Sequence, residues 1–333
     1  MGISRTYEWA DVLTLAGVNA RSDKVPDNFF DGFGVLEMMQ KAGNVRIEEA
    51  GDRIVEHLMV DDNDQAVDYS GFDEVTPHAS EGLTTAEFQW AQVMIPVTIS
   101  GRDLRSQSPK QVKQVWKAKM EQAILSLKDK INREIMLSDQ STAPYSEKSI
   151  AGFPLMIAET PTLSYAGVNP STHAKWKNYT AGAVGAYGTN LLSAMQLAWI
   201  QCSRGRRSGI PTAIWTDPVG YQYVESLVSS KMYYVLSSNA QNIDMGSGDL
   251  KFKKIPVMYD MNLGLDSSGT KYKQYWTNTN YTKLHIHPDA NFTPTPWVRP
   301  YKQDAICCQI LVQLQLTTIN RRHNGILYGI TAS

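Results

Sequence analysis

The chain has 333 residues, 42% hydrophobic and 20% charged, a balance that supports a sizeable buried core and excludes wholesale disorder. Its 32 basic and 33 acidic residues leave a formal net charge of -1, so the basic excess of a protein built to grip nucleic acid is missing. The N-terminus lacks the basic-then-apolar pattern of a secretory signal, and no stretch approaches the roughly 18 uncharged apolar residues of a membrane span.

The first forty residues lack strong periodicity. Aromatics set in the polar, glycine-broken run Asp27-Asn28-Phe29-Phe30-Asp31-Gly32-Phe33-Gly34 predict an arm that packs away from any local core. Two stretches then read as legs of a long hairpin. The first holds Val45, Ile47, Ile54, Val55, Leu58, Met59 and Val60; the second holds Phe88, Trp90, Val93, Ile95, Val97 and Ile99, alternating clearly at its end. The polar stretch from Asp61 to Gly82 between them is too long for an idle loop.

Ser108-Pro109-Lys110-Gln111 has the pattern of a helix start, with serine as cap, proline at the first helical position and glutamine completing a capping box. Val112, Val115, Trp116, Met120, Ala123, Ile124, Leu127, Ile131 and Ile135 follow at three- and four-residue spacing, which predicts a helix over 108–138. Residues 140–188 are loop-rich. Leu191, Met195, Ala198 and Trp199 predict a helix closed by Arg204-Gly205, Ala213-Ile214-Trp215 a short strand, and Asp217-Pro218 the start of a helix through Tyr221, Val224 and Leu227. Strands are expected at Ile255–Tyr259 and Tyr272–Trp276. At the end Ile310, Val312, Leu314 and Leu316 alternate with Gln309, Gln313 and Gln315, a strand with one apolar face.

Chemistry-bearing motifs are weak. Gly264–Lys271 nearly matches a phosphate loop, but Lys271 follows the threonine instead of preceding it, and the segment lies between strands; a hairpin loop is expected. His285-Ile286-His287 puts two imidazoles on one strand face without a third ligand beyond Asp289, so a pair without metal is expected. Asp61-Asp62-Asn63-Asp64 lacks the glycine and closing glutamate of a calcium loop. Cys202, Cys307 and Cys308 lack CxxC spacing and read as core thiols of a reducing compartment. Gly182–Gly188 has the wrong spacing for a dinucleotide, and Arg204-Gly205-Arg206-Arg207 reads as a helix end with solvated or interface arginines. No catalytic constellation, cofactor site or metal site emerges.

The ordered text carries more. Gly43 to Gly51 opens the hairpin, Tyr69-Ser-Gly71-Phe-Asp73 sits in its outer part, and Thr84-Thr-Ala86-Glu-Phe88-Gln-Trp90 begins its return. Val97-Thr-Ile-Ser-Gly101 precedes the long helix, and Trp176-Lys-Asn178 follows the Gly152 region. In this order the chain resembles the major capsid proteins of tailed bacteriophages, most strongly over residues 43–179. The resemblance implies an α+β architecture of the Hong-Kong-97 type. Its parts would be an N-arm over 1–44, an E-loop hairpin over 45–101, a P domain over 102–188 with its spine helix at 108–138, an A domain over 189–288, and a return to the P-domain sheet over 289–333. It further implies hexamers and pentamers closing into an icosahedral shell around non-specifically contacted double-stranded DNA. The partners would be a scaffolding protein, a portal and a decoration protein, with no membrane. The location would be the virion, after assembly in the host cytoplasm. Residues 47–101 contain no lysine, so the E-loop lysine cross-link of some relatives is not available. The chain goes straight into the arm, which implies a separate scaffolding protein or a prior cleavage.

Charge placement fits a ring-forming subunit. The hairpin carries Glu48, Glu49, Asp52, Glu56, Asp61, Asp62, Asp64, Asp68, Asp73, Glu74, Glu81 and Glu87 against Arg46 and Arg53. The helix region carries Arg102, Arg105, Lys110, Lys113, Lys117, Lys119, Lys128, Lys130 and Arg133 against Asp103, Glu121 and Asp129. Asp61, Asp62, Asp64 and Asp68 of one copy and Arg105, Lys110, Lys113 and Lys117 of another are the expected inter-subunit contacts, because a ring interface joins two different surfaces. The bland alternative is two solvated faces. Two other functions compete with a phage shell: an encapsulin-like compartment of the same fold, and a metal-dependent or thiol hydrolase, which the missing constellation disfavours.

Overall fold

The computed structural model describes residues 34–49, 51–61, 66–74, 82–106, 109–205, 207–231 and 250–332. In chain order come α1 (Gly34–Lys41), β1 (Val45–Ile47), β2 (Arg53–Met59), β3 (Leu83–Gln89), β4 (Ala91–Ser100), α2 (Gly101–Ser106) and α3 (Pro109–Leu137). The one-turn helix α4 (Phe153–Met156), β5 (Tyr179–Ala181) and β6 (Gly185–Ala186) lead to α5 (Leu192–Ser203), β7 (Ala213–Thr216) and α6 (Pro218–Lys231). The chain closes with β8 (Lys251–Phe252), β9 (Ile255–Tyr259), β10 (Tyr272–Thr277), β11 (Thr282–Ile286), β12 (Thr293–Pro294), β13 (Ala305–Thr318) and β14 (Gly325–Thr331).

Helix α3 begins at Pro109 as its spacing predicts; the Ser108 cap lies outside the described residues. Ala123, Leu127, Ile131 and Ile135 of the apolar stripe are buried, whereas Val115, Trp116, Met120 and Ile124 are half-buried. Among the described side chains of the helix, those buried in the core belong to its second half. Trp116, on the stripe that predicts a buried face, is half-buried and lies against Trp297 with ring centroids 4.3 Å apart. The helix stops where Gly152 crosses its last turn: a Cβ there would stand 2.5–2.8 Å from the carbonyl oxygens of Glu134, Ile135 and Ser138. Local signals also set α5 and α6. Arg204 adopts φ 47° and Gly205 φ 72° to end α5, and the Asp217 carboxylate accepts from the amides of Val219 and Gly220 at the start of α6.

Two sheets carry the fold. The five-stranded one is organised by β13, which pairs antiparallel with β4 from Ala305↔Ser100 to Leu314↔Ala91 and with β11 from Leu314 to Thr318. Ile310, Val312, Leu314 and Leu316 are buried as the alternation predicts. Gln315, on the nominally polar face, is buried too; it accepts from the amide of Ala151 (2.9 Å) and donates to the carbonyl of Gln89 (2.6 Å). The seven-stranded sheet runs β5-β14-β10-β7-β9-β8, with β6 added to β14. It separates two cores. Trp215, Tyr275 and Ile326 point into the core that holds α3, while Ile214, Trp276, Leu327 and Ile330 point into the core of α5 and α6. Burial on both faces explains why β7 is apolar without alternation.

Three strand-level expectations need correction. The hairpin is β2 with β3, Arg53↔Gln89 through Met59↔Leu83. Residues 45–47 form no part of its first leg; they pair in parallel with β11. The second leg breaks at Trp90, after which β4 belongs to β13, because its ladder to β13 runs the full strand while β2 ends at Arg53. The last strand, β14, lies between β5 and β10, where its alternating side chains fill both cores. The loop at 264–271 is not a hairpin, since β9 and β10 flank β7 on opposite sides; Asp266 folds it by accepting from the amides of Ser268 and Lys271.

Candidate functional site

The most distinctive surface is the hairpin of β2 and β3, which forms a sheet of its own. One face packs inward through Ile54, Leu58, Ala86 and Phe88, with Phe88 edge-on to Tyr165 at 5.7 Å. The other face is open. Met59 and Leu83 stand opposite each other there, with Val55 further along, and Val67, Tyr69 and Phe72 are exposed in the outer segment. Exposed apolar side chains on an open strand face make a surface suited to protein contact.

The charged candidates are distributed as follows. Asp61 lies at the end of β2, its Oδ2 2.8 Å from Nδ1 of His173 in the same chain. Asp68 is exposed; Asp62 and Asp64 lie outside the described residues. Arg105 is exposed and pairs with Asp304, which follows the loop into β13. Lys117 is exposed on α3, 3.9 Å from Glu121. Lys110 and Lys113 are on the same helix, but their side chains lie outside the described residues. Among the described candidates, neither Asp61 nor Asp68 pairs with Arg105 or Lys117; Asp61 meets His173 and Arg105 meets Asp304.

The hairpin is anchored to the body by polar contacts that sequence spacing did not show. Glu56, 17% exposed on β2, has its Oε1 3.5 Å from both Lys283 Nζ and His285 Nε2. On the other side of the His285 ring, Nδ1 is 3.5 Å from Glu48 Oε2. The adjacent His285 side chain, with Lys283, holds the Glu56 carboxyl below the ordinary carboxylate range against the opposing effect of burial. His287 serves a different purpose: it accepts from the Asp289 amide and lies edge-on to Trp90. Among the described residues, no group of three or more His, Cys, Asp and Glu side chains could hold a metal. The three cysteines are free; Cys202 and Cys308 are buried and Cys307 partly so, and burial pushes the Cys202 thiol up to about 12.

Arg321 was also missed. Only 1% exposed, it donates from Nε to the Met156 carbonyl (2.8 Å) and from Nη2 to Asn178 Oδ1 (3.3 Å) and the Leu155 carbonyl (3.4 Å), with its guanidinium 4.7 Å above the Tyr165 ring. It staples α4 and the 165–178 segment, the platform on which the hairpin lies. Burial lowers its pKa to about 10, so it stays cationic at neutral pH. In the sequence it sits in Asn320-Arg-Arg-His323, which reads as a solvated basic run.

No family model and no curated protein matches the chain. Solved structures do. The capsid asymmetric unit of cyanophage A-1(L) is similar over 93% of this chain and 96% of that one, with a TM-score of 0.68 and 15% identity. The capsid of Myoviridae phage XM1 is similar over 93% and 96%, with a TM-score of 0.56 and 14% identity. The SrpI encapsulin complex of Synechococcus elongatus PCC 7942 is similar over 95% and 96%, with a TM-score of 0.53 and 12% identity. The chain thus has the mixed α+β fold of the phage capsid proteins, the Hong-Kong-97-type architecture its sequence resembles, and an encapsulin shares it.

Proposed function

We propose that this chain is the major capsid protein of a tailed bacteriophage, a non-catalytic subunit that closes as hexamers and pentamers into an icosahedral head around double-stranded DNA. The observation that supports this best is end-to-end similarity: nearly all of this chain aligns with nearly all of the capsid chains. A borrowed domain would align in part. In this reading β2 and β3 are the core of the E-loop, α3 is the spine helix of the P domain, and the sheet of β7, β9 and β10 with α5 and α6 is the A domain. A scaffolding protein, a portal and a decoration protein are its partners, the packaged DNA is met non-specifically, and assembly in the host cytoplasm precedes residence in the virion.

The contact between copies joins Asp61, Asp62, Asp64 and Asp68 of one hairpin to Arg105, Lys110, Lys113 and Lys117 of a neighbour, around the apolar side chains Met59, Leu83 and Phe72. Each exposed pair contributes below ~1 kcal/mol, but a closed shell repeats it at every interface. Electron microscopy of the purified protein tests the reading: rings or closed particles are expected, and a monomer at every concentration would sink it. Reversing Asp61, Asp62 and Asp64 to lysine should block assembly while the monomer stays folded, and reversing Lys113 and Lys117 as well should restore it. The charge pairing fails if the triple variant assembles normally from ~0.1 M to ~1 M salt, over which the screening length falls from ~10 Å to ~3 Å.

A second reading, an encapsulin-like compartment, is favoured by the likeness to SrpI. Particles from the native source separate the two: nuclease-protected DNA inside supports the phage head, and an enclosed protein supports the compartment.

A further inference from the structure

Two histidines tie the hairpin to the body, and both do so through carboxylates on or beside it. His285, on β11 and 2% exposed, lies between Glu48 and Glu56, one at each ring nitrogen. His173, in the turn before Trp176, faces Asp61 at the end of β2. Both ring nitrogens of His285 are buried without a hydrogen-bond partner, the nearest carboxylate oxygens standing 3.5 Å from each. We propose that these contacts form a proton-dependent clasp, which holds the hairpin down when both imidazoles are protonated and loosens it when they are neutral.

The reason is donor count. A neutral imidazole has one N–H and one lone pair, whereas an imidazolium has two N–H donors. Flanked by a carboxylate on each side, neutral His285 must aim a lone pair at one of them, with little water to separate the like charges. Only the cation meets both. Other charged groups nearby temper the effect without removing this asymmetry. Lys283, on the same strand, already engages Glu56, and Arg46, opposite His285 in the β1–β11 register, engages Glu48 at 3.2 Å. Gln315, the β13 residue opposite His285, is uncharged. At His173 the contacting carboxylate is Asp61, and Lys175 lies in the same turn.

The sign follows. Both contacts are present with histidine protonated and are lost when rising pH takes the proton off, histidine being the side chain whose charge changes in the window between about pH 5 and 8. Glu56, held below the usual carboxylate range by His285, remains an anion at the acid end of that window. The apolar contacts of Ile54, Leu58 and Phe88 persist at either pH, so the hairpin loosens without detaching from its platform. The clasp acts within one chain and stands whether or not that chain builds a shell.

Hydrogen exchange of the full chain at about pH 5.5 and about pH 8 tests it, after correction for intrinsic exchange. Amides of β2 and β3 should exchange about tenfold faster at the higher pH, equivalent to 1.36 kcal/mol, while those of β13 stay unchanged. His173→Gln and Glu48→Gln, both at partly exposed sites, should each shrink that difference, and together with His285→Gln should abolish it. Equal exchange at both values in the native chain would overturn the clasp. So would a matching change in β13, or a His173→Gln/Glu48→Gln double variant that keeps the native pH response.

Discussion

Arg321→Met replaces a buried cation by an apolar side chain of similar length. Three acceptors lose their donor: the carbonyls of Met156 and Leu155, and Asn178 Oδ1. Hydrogen bonds from a charged group contribute about 1.5–3 kcal/mol each. The Nε bond, at 2.8 Å, deserves the full value, and the two longer Nη2 bonds together about the same. Against this gross loss of about 3–6 kcal/mol, methionine avoids the desolvation that depresses the pKa of Arg321. A net loss of about 3 kcal/mol is therefore expected. At about 2–4 °C per kcal/mol for a larger domain, the thermal midpoint should fall by about 6–12 °C. Differential scanning calorimetry of the native chain and the variant, with the exposed Arg299→Met as control, gives the answer; the control should lie within about 0.5 kcal/mol. A variant as stable as the native chain would show that the arginine's desolvation cancels its bonds, and the stapling role assigned to it would be wrong.

Three other outcomes follow from the packing. Leu127→Ala empties a site 1% exposed in the α3 core and should cost about 2–5 kcal/mol by denaturant titration; a cost under ~1 kcal/mol would mean the helix phase is misjudged. Gly152→Ala drives a methyl into three carbonyl oxygens at the end of α3 and should cost at least the ~1–3 kcal/mol of an overpacked core, read as lost soluble yield or a lowered midpoint. For Glu56, whose folded pKa lies below 4.5, the stabilisation is present above the unfolded value and lost as pH falls through the folded one. The stability difference between the native chain and Glu56→Gln should accordingly shrink on acidification below about pH 4.3, and a difference that grows instead would contradict the assignment.

The elements legible in the sequence are those whose signals are local. Pro109 and the stripe through Ile135 fixed α3, Asp217-Pro218 fixed the start of α6, Arg204-Gly205 the end of α5, and the alternation from Ile310 to Leu316 the phase of β13. Sheet membership was not legible, because it is decided by partners far along the chain. Val45–Ile47 looks like a hairpin leg until Leu284–Ile286 is seen beside it, and apolar residues recurring between polar ones on both sides of Trp90 hide the switch from β3 to β4. Polar residues suffered most. Gln315 and Arg321 have the composition of surface residues, and their burial depends on donors, acceptors and rings contributed by residues 89, 151–178 and 316. Of the charged candidates, the acidic and basic blocks were plain in the sequence, while the intrachain pairing of Asp61 with His173 and of Arg105 with Asp304 was not.

The isolation of β2 and β3 from both larger sheets has a mechanical consequence. Their ladder bonds run to each other, while the next strand, β4, is riveted to β13 along its full length. The hairpin is thus a lever that joins the body at Trp90 on one side and through residues 48–52 on the other, and among the described residues there no strand ladder crosses the joint. Swinging it breaks a few discrete links, among them the Glu87 amide to the Ala166 carbonyl and the Gln315 side chain to the Gln89 carbonyl, together with its side-chain packing. It leaves the sheets of the body intact. A change in the direction of the arm would leave both larger sheets as they are, and the proposed shell subunit would need such a change wherever its neighbours stand differently.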